Sequence, residues 1–249
     1  MNRFKIGAAR RMPRRLAALV ALLVMALSLS GCLYPEDQKK QNQVASKEAV
    51  RNVQAAIDQY QSDTGMLPIK NSASETPIYE KFNVDFAKLQ RMGYLSEAPS
   101  AAFEKGGNFY FLIIDEETKP RIRLMDIVTF QRINDIQSWV TAYVQSKGNL
   151  PKGEEMYPGY YQLDYKSMSR TEPTIRSMFS GQSLQALVDD NGVVYCDYGI
   201  DIMQLVQKSG KTDLDTDLDL RTLLVDGSDY VPVKAPVYHW VNNEPQAVK

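Results

Sequence analysis

Apolar residues recur at helical spacing from residue 46 onward. Val50, Val53, Ile57 and Tyr60 stand at i, i+3, i+7 and i+10, which places them on one face of an α-helix. Ser46 is positioned to cap its start, with Glu48 in the first turn. Gly65 is positioned to stop it, and Pro68 follows three residues later. The same pattern returns 83 residues on: Ile133, Ile136, Val140 and Tyr143 repeat the stripe, Gly148 repeats Gly65, and Leu150-Pro151 repeats Leu67-Pro68. Gln137 stands where Gln54 stood.

Each helical stretch leads to a predicted β-hairpin. In the first, residues 108–114 form an aromatic and β-branched strand, 115–120 a turn and 121–125 the return. In the second, residues 184–188 form a strand, Asp189-Asp190-Asn191-Gly192 a turn with an Asn-Gly signal, and 193–198 the return. Val84-Asp85-Phe86 and Leu163-Asp164-Tyr165 fall at matching places in between, as do Glu97-Ala98-Pro99 and Glu172-Pro173. This common order predicts an α+β fold of two related helix-plus-antiparallel-hairpin units, 46–126 and 127–249, the second carrying a β-rich C-terminal tail. In the tail, residues 200–208 read as a short helix, while 223–225 and 230–240 read as strands. Pro232 and Pro236 point to an edge or irregular strand there.

The N-terminal stretch follows a different logic. Arg3, Lys5, Arg10, Arg11, Arg14 and Arg15 precede an uncharged, mostly apolar run over residues 16–30, and no acid occurs before Glu36. That run is shorter than the roughly 20 residues a spanning helix needs. Basic head, apolar middle and small residues at the end make residues 1–31 a predicted signal peptide. Leu29-Ser30-Gly31-Cys32 closes it, and this box resembles that of bacterial lipoproteins. The resemblance implies lipid attachment at Cys32 as a diacylglyceryl thioether, chemistry that uses the nucleophilicity of sulfur. Two acyl chains, diacylglycerol or palmitate in kind, suffice for stable anchoring. Residues 32–45 are polar beyond their first few positions and read as a tether.

Charge changes meaning once the signal is removed. The precursor carries 29 basic and 30 acidic residues; losing six basic residues and no acids leaves 218 residues at −7. A mildly acidic surface argues against a nucleic-acid partner. With Cys32 acylated, Cys196 has no cysteine to pair with.

Candidate chemistry is sparse. His239 is the single histidine and sits between Tyr238 and Trp240 in a predicted strand, with no nucleophile motif nearby. One histidine and one free cysteine do not make a usual zinc site. Asp213, Asp215, Asp217 and Asp219 alternate with Leu214, Thr216, Leu218 and Leu220. An EF-hand loop would want glycine where Leu218 stands and glutamate where Leu224 stands. Gly106-Gly107 precedes a strand, which reads as a turn and not as a phosphate loop opening a helix. Acids cluster at the hairpin turns, Asp115-Glu116-Glu117 and Asp189-Asp190. No catalytic, cofactor or metal residue is therefore expected. Tyr157, Tyr160, Tyr161 and Tyr165 surround Pro158-Gly159. They are the expected contact surface for a partner, because tyrosine joins an apolar face to a polar tip.

Two further resemblances bear on the whole. Tyr60, Gly65 and Pro68, then Tyr143, Gly148 and Pro151, make each unit resemble the globular head of type II pseudopilins in shape. The pilin leader is not matched, so the resemblance carries no pilus assembly. Cys32-Leu33-Tyr34-Pro35-Glu36, Gly65-Met66-Leu67-Pro68-Ile69 and Ala102-Phe103-Glu104-Lys105-Gly106-Gly107 make the chain similar to uncharacterised lipoproteins of Bacillus-type bacteria, the YphF-like group. That resemblance implies a lipoprotein on a cell membrane and no particular activity. The expectation is a non-catalytic binding or scaffolding module, lipid-anchored at the extracytoplasmic face of the cell membrane, with a protein or cell-wall partner. The alternative is a cell-wall-active hydrolase using paired carboxylates.

Overall fold

A computed structural model describes residues 36–210 and 214–249. The predicted signal peptide, Cys32 and Asp213 lie outside the described residues. Residues 45–249 form one compact α+β unit.

Helix α1 spans Glu36–Thr64. It therefore begins ten residues before the expected cap, and residues 36–45 of the expected tether are helical. Ser46 lies inside the helix and is buried, so it caps nothing. The predicted stripe holds: Val53 and Ile57 are fully buried, with Val50 and Tyr60 beside them. Gly65 takes φ +68° and donates its N–H to Gln61 O at 2.8 Å, closing the helix as a left-handed terminator. Two short helices follow, α2 at Ile78–Lys81 and α3 at Phe86–Arg91. Asp85 caps the latter by accepting from Lys88 N at 2.9 Å.

The first hairpin forms where the pattern placed it, β1 at Phe109–Ile114 and β2 at Arg121–Asp126. Helix α4, Ile127–Lys147, starts directly from β2. Asp126 ends the strand and caps the helix, accepting from Val128 N and Thr129 N at 3.2 and 3.0 Å. Gly148, at φ +75°, ends α4 as Gly65 ends α1. Next come β3 at Lys152–Tyr157, β4 at Tyr160–Leu163, a small pair β5 and β6 at Ile175–Arg176 and Ser183–Leu184, then β7 at Ala186–Asp189 and β8 at Val194–Cys196. The second sheet has the order β3-β4-β7-β8.

The pairings of the first unit recur in the second. Ile69 bridges Val84 as Lys152 pairs with Leu163. Asn83 bridges Leu112 as Gln162 pairs with Leu187. Leu112 faces Arg123 as Leu187 faces Tyr195. Asp85 N–H donates to Pro68 O at 2.7 Å, and Asp164 N–H to Pro151 O at 2.9 Å. The matching helix glutamines dock alike. Gln54 Nε2 donates to Pro120 O at 3.1 Å and Gln54 Oε1 accepts from Ile122 N at 2.8 Å. Gln137 Nε2 donates to Gly192 O at 2.8 Å and its Oε1 accepts from Val194 N at 2.8 Å. Each amide pairs with the start of its return strand as an extra peptide group would. The outer segments of the first unit make only isolated bridges, because residues 70–82 carry α2 where the second unit has a two-residue turn at Pro158-Gly159.

The tail differs from its expectation in three places: 223–225 is helical, only 237–240 of the expected strand 230–240 is strand, and a further strand follows at Glu244–Val248. Helix α5, Gly199–Ser209, is the short helix foreseen, and it leaves β8 as α4 leaves β2. Residues 223–225, expected as a strand, lie in helix α6, Arg221–Asp226. A three-residue apolar run does not distinguish the two states, and here Leu220 and Leu224 are buried one turn apart. The chain then passes between the units with a turn at Val233-Lys234, Lys234 at φ +55°: Asp229 O accepts from Leu124 N at 2.8 Å, and Lys234 O from Cys196 N at 2.8 Å. A last hairpin, β9 at Val237–Val241 and β10 at Glu244–Val248, turns at Asn242-Asn243, both at positive φ.

The core follows from this arrangement. Phe111, Ile113, Ile122 and Leu124 face α1, while Leu112 and Ile114 on the opposite face of β1 meet Val225, Val231 and Val233 of the tail. The first hairpin is therefore buried on both faces. Around α4, Ile133, Ile136 and Val140 pack with Leu187, Cys196, Ile202 and Tyr238.

Candidate functional site

Where the tail crosses between the two units it leaves a cavity of about 250 Å³. Tyr79 and Glu80 of α2 line one side, Asn134 of α4 and Tyr195 of β8 another, and Arg221 and Lys234 of the tail a third. Pro77, Val193 and Pro232 add an apolar border.

Both cations are held by protein groups. Lys234 Nζ donates to Glu80 Oε2 at 3.0 Å and lies 4.7 Å from the centre of the Phe130 ring. Arg221 grips Asp219 through Nε and Nη2, the latter at 2.7 Å, and Nη1 donates to Ala235 O at 3.2 Å. Its guanidinium also covers the Tyr79 ring at 5.3 Å. Burial pushes the Tyr79 hydroxyl up to about 12, with the Asp219 charge adding to it. Burial likewise raises Tyr195 to about 12, helped by Asp189. Neither hydroxyl is a proton source or sink near neutral pH.

The four tyrosines named from sequence do not form an exposed patch. They lie on and after the β3–β4 hairpin and pack against the second core. Tyr160 is buried, and its hydroxyl donates to Val248 O at 3.0 Å. Tyr157 donates to Asp197 at 3.1 Å, an acceptor it shares with Tyr238, which donates at 2.7 Å. Tyr161 lies under Lys152 at 4.0 Å. Tyr165 is half-buried, with its oxygen enclosed. Tyr160 is thus corrected from contact residue to core residue: the two-residue Pro158-Gly159 turn folds this stretch back into a sheet instead of leaving it a loop.

The acids have internal tasks. Asp115 and Asp226 both pair with Arg121. Asp189 folds its own turn, accepting from Asn191 N at 2.9 Å and Val193 N at 2.8 Å. Asp190 takes Lys152 and Lys249 together, which holds its carboxyl down to about 2. Asp201, buried in the first turn of α5, accepts from Ser177 Oγ at 2.7 Å, and burial raises its carboxyl. Asp215 accepts from Asp217 N within a turn. His239 is half-buried in β9 opposite Gln246. Among the described residues no cluster of histidine, cysteine and acids could hold a metal, and no helix is long and apolar enough to cross a membrane. Cys196 is fully buried, and burial pushes its thiol far up. It occupies the strand position that Leu124 holds in the first unit, a small hydrophobe in a core.

Glu80, Asn134, Arg221 and Lys234 carry no local motif, and only Asn134 and Lys234 lie on stretches whose pattern was read as an element. Sequence reasoning therefore passed over them.

Residues 46–126 match the model of the YphF family N-terminal domain. The match spans the first helix-hairpin unit and supports the YphF-like resemblance over that unit. No curated protein and no solved structure matches the chain.

Proposed function

We propose that this protein is a lipid-anchored envelope module that binds or scaffolds a partner at the outer face of the cytoplasmic membrane, without catalysing a reaction. The observation that carries this reading is Leu29-Ser30-Gly31-Cys32 behind a basic head and an apolar run. Lipidation at Cys32 would hold the folded unit near membrane-bound partners and raise its effective concentration there. The similarity of residues 46–126 to the YphF N-terminal domain agrees with it. So does the employment of Asp115, Asp189 and Asp190 at the hairpins in turns and ion pairs. We read the two helix-hairpin units as diverged copies of one module, shaped like a pseudopilin head.

The test is acyl labelling in cells. Wild-type protein should take up labelled fatty acid and sediment with membranes. Cys32→Ser should lose the label and be released or stall as precursor. Unchanged labelling of Cys32→Ser would sink the anchor. Crosslinking in intact cells then identifies the partner.

A further inference from the structure

We infer that the cavity at the seam of the two units is a binding site for a small molecule bearing an oxyanion, a carboxylate or a phosphate. This deepens the binding role proposed above, but it rests on the geometry of the cavity and not on the lipid anchor. The lining holds two cations, Arg221 and Lys234, against one acid, Glu80. Asp219, outside the lining, pairs with Arg221, so the two cations and their two acid partners balance and the excess offered to a ligand is one of N–H donors.

The decisive feature is a surplus of donors. Arg221 engages three of its five N–H groups with Asp219 and Ala235. Lys234 engages one of its three. The hydroxyls of Tyr79 and Tyr195 and the side-chain amide of Asn134 have no hydrogen-bond partner among the described residues. Tyr79 is only 7% exposed as a residue, but its hydroxyl is not among the enclosed atoms and faces the open space of the cavity. An oxyanion supplies acceptors where the protein has left donors, and guanidinium and ammonium groups bind such oxygens most strongly. At ~30 Å³ per water, the volume admits about eight waters or a ligand with about as many non-hydrogen atoms. The ion pairs keep both cations in place before a ligand arrives, which lowers the ordering cost of binding.

The experiment is a calorimetric titration of the purified full chain with succinate and with inorganic phosphate, each against a neutral analogue, succinamide and glycerol. Saturable binding of either anion is expected, with the neutral compounds weaker by at least ~10-fold. Asn134→Leu and Lys234→Met should each weaken the anion by at least ~10-fold, while Lys70→Met, at a distant surface ion pair with Glu104, should change nothing. Circular dichroism checks folding; should Lys234→Met unfold, Asn134→Leu decides. The tighter anion names the ligand's source. Binding of neither anion overturns the inference, as does equal binding of the neutral analogues or indifference to Asn134→Leu. Loss of acyl labelling at Cys32 would leave this result untouched, so the two readings fail separately.

Discussion

Replacing Gln137 by alanine tests how the helices are fastened to their hairpins. The substitution removes the bond from Nε2 to Gly192 O and the bond from Val194 N to Oε1, both 2.8 Å. Each bond contributes about 1 kcal/mol net, and a buried N–H left without a partner costs about 1–3 kcal/mol. Val194 is 3% exposed, so water cannot easily replace the amide. Together these give a loss of about 2–4 kcal/mol. Gln54→Ala should lose a similar amount through Ile122, which is fully buried. The two glutamines share no partner, so the double variant should be additive within about 0.5 kcal/mol. Urea unfolding of the purified protein measures the total. Amide hydrogen exchange measures the place: Val194 should lose protection in Gln137→Ala, and Ile122 in Gln54→Ala. A loss below about 0.5 kcal/mol with Val194 still protected would refute the reasoning.

Three further outcomes are expected. Tyr238→Phe removes a fully buried hydroxyl that donates to Asp197 and accepts from Tyr198 N; it should cost about 2 kcal/mol and lower Tm by about 4–8 °C in calorimetry, and a change under about 1 °C would contradict it. Asp190 is held at about 2 by Lys152 and Lys249, below the ~3.9 of an unfolded aspartate. Its contribution is therefore present above about pH 4 and is lost as pH falls through about 2; Asp190→Asn should flatten acid unfolding in that window, and an identical acid limb would count against the pairing. Cys196 should react with thiol reagents only as fast as the chain unfolds, because the thiol is enclosed and burial disfavours its thiolate; rapid labelling of native protein would show the core to be open there.

The first hairpin could be read from the chain because β1 is apolar, β2 begins by alternating charged and apolar residues, and its turn is local. The hairpin of β3 and β4 could not. Gly153, Glu154, Glu155 and Met156 are exposed on an outer strand, so no alternation marks it, and its pairing comes from β4 and the sheet behind. The last hairpin was missed, although Asn242-Asn243 at its turn are residues that tolerate the left-handed conformation both adopt. The expectation of a patch at Tyr160 failed because residue type reports a capacity for contact, while exposure depends on what folds against it.

By itself the sequence determined the repeated helix stripes, their glycine stops and both principal hairpin turns, all set by neighbours within a few residues, and it carries the Leu29–Cys32 box on which the proposed anchor rests. Only the tertiary structure decided that Gln54 and Gln137 each join a helix to a strand, that Cys196 stands in for Leu124, and that the tail passes between the units. It alone brought Glu80, Asn134, Arg221 and Lys234 around one cavity. Such groups meet through chain segments up to 154 residues apart, and no local pattern records which distant partner a side chain will find.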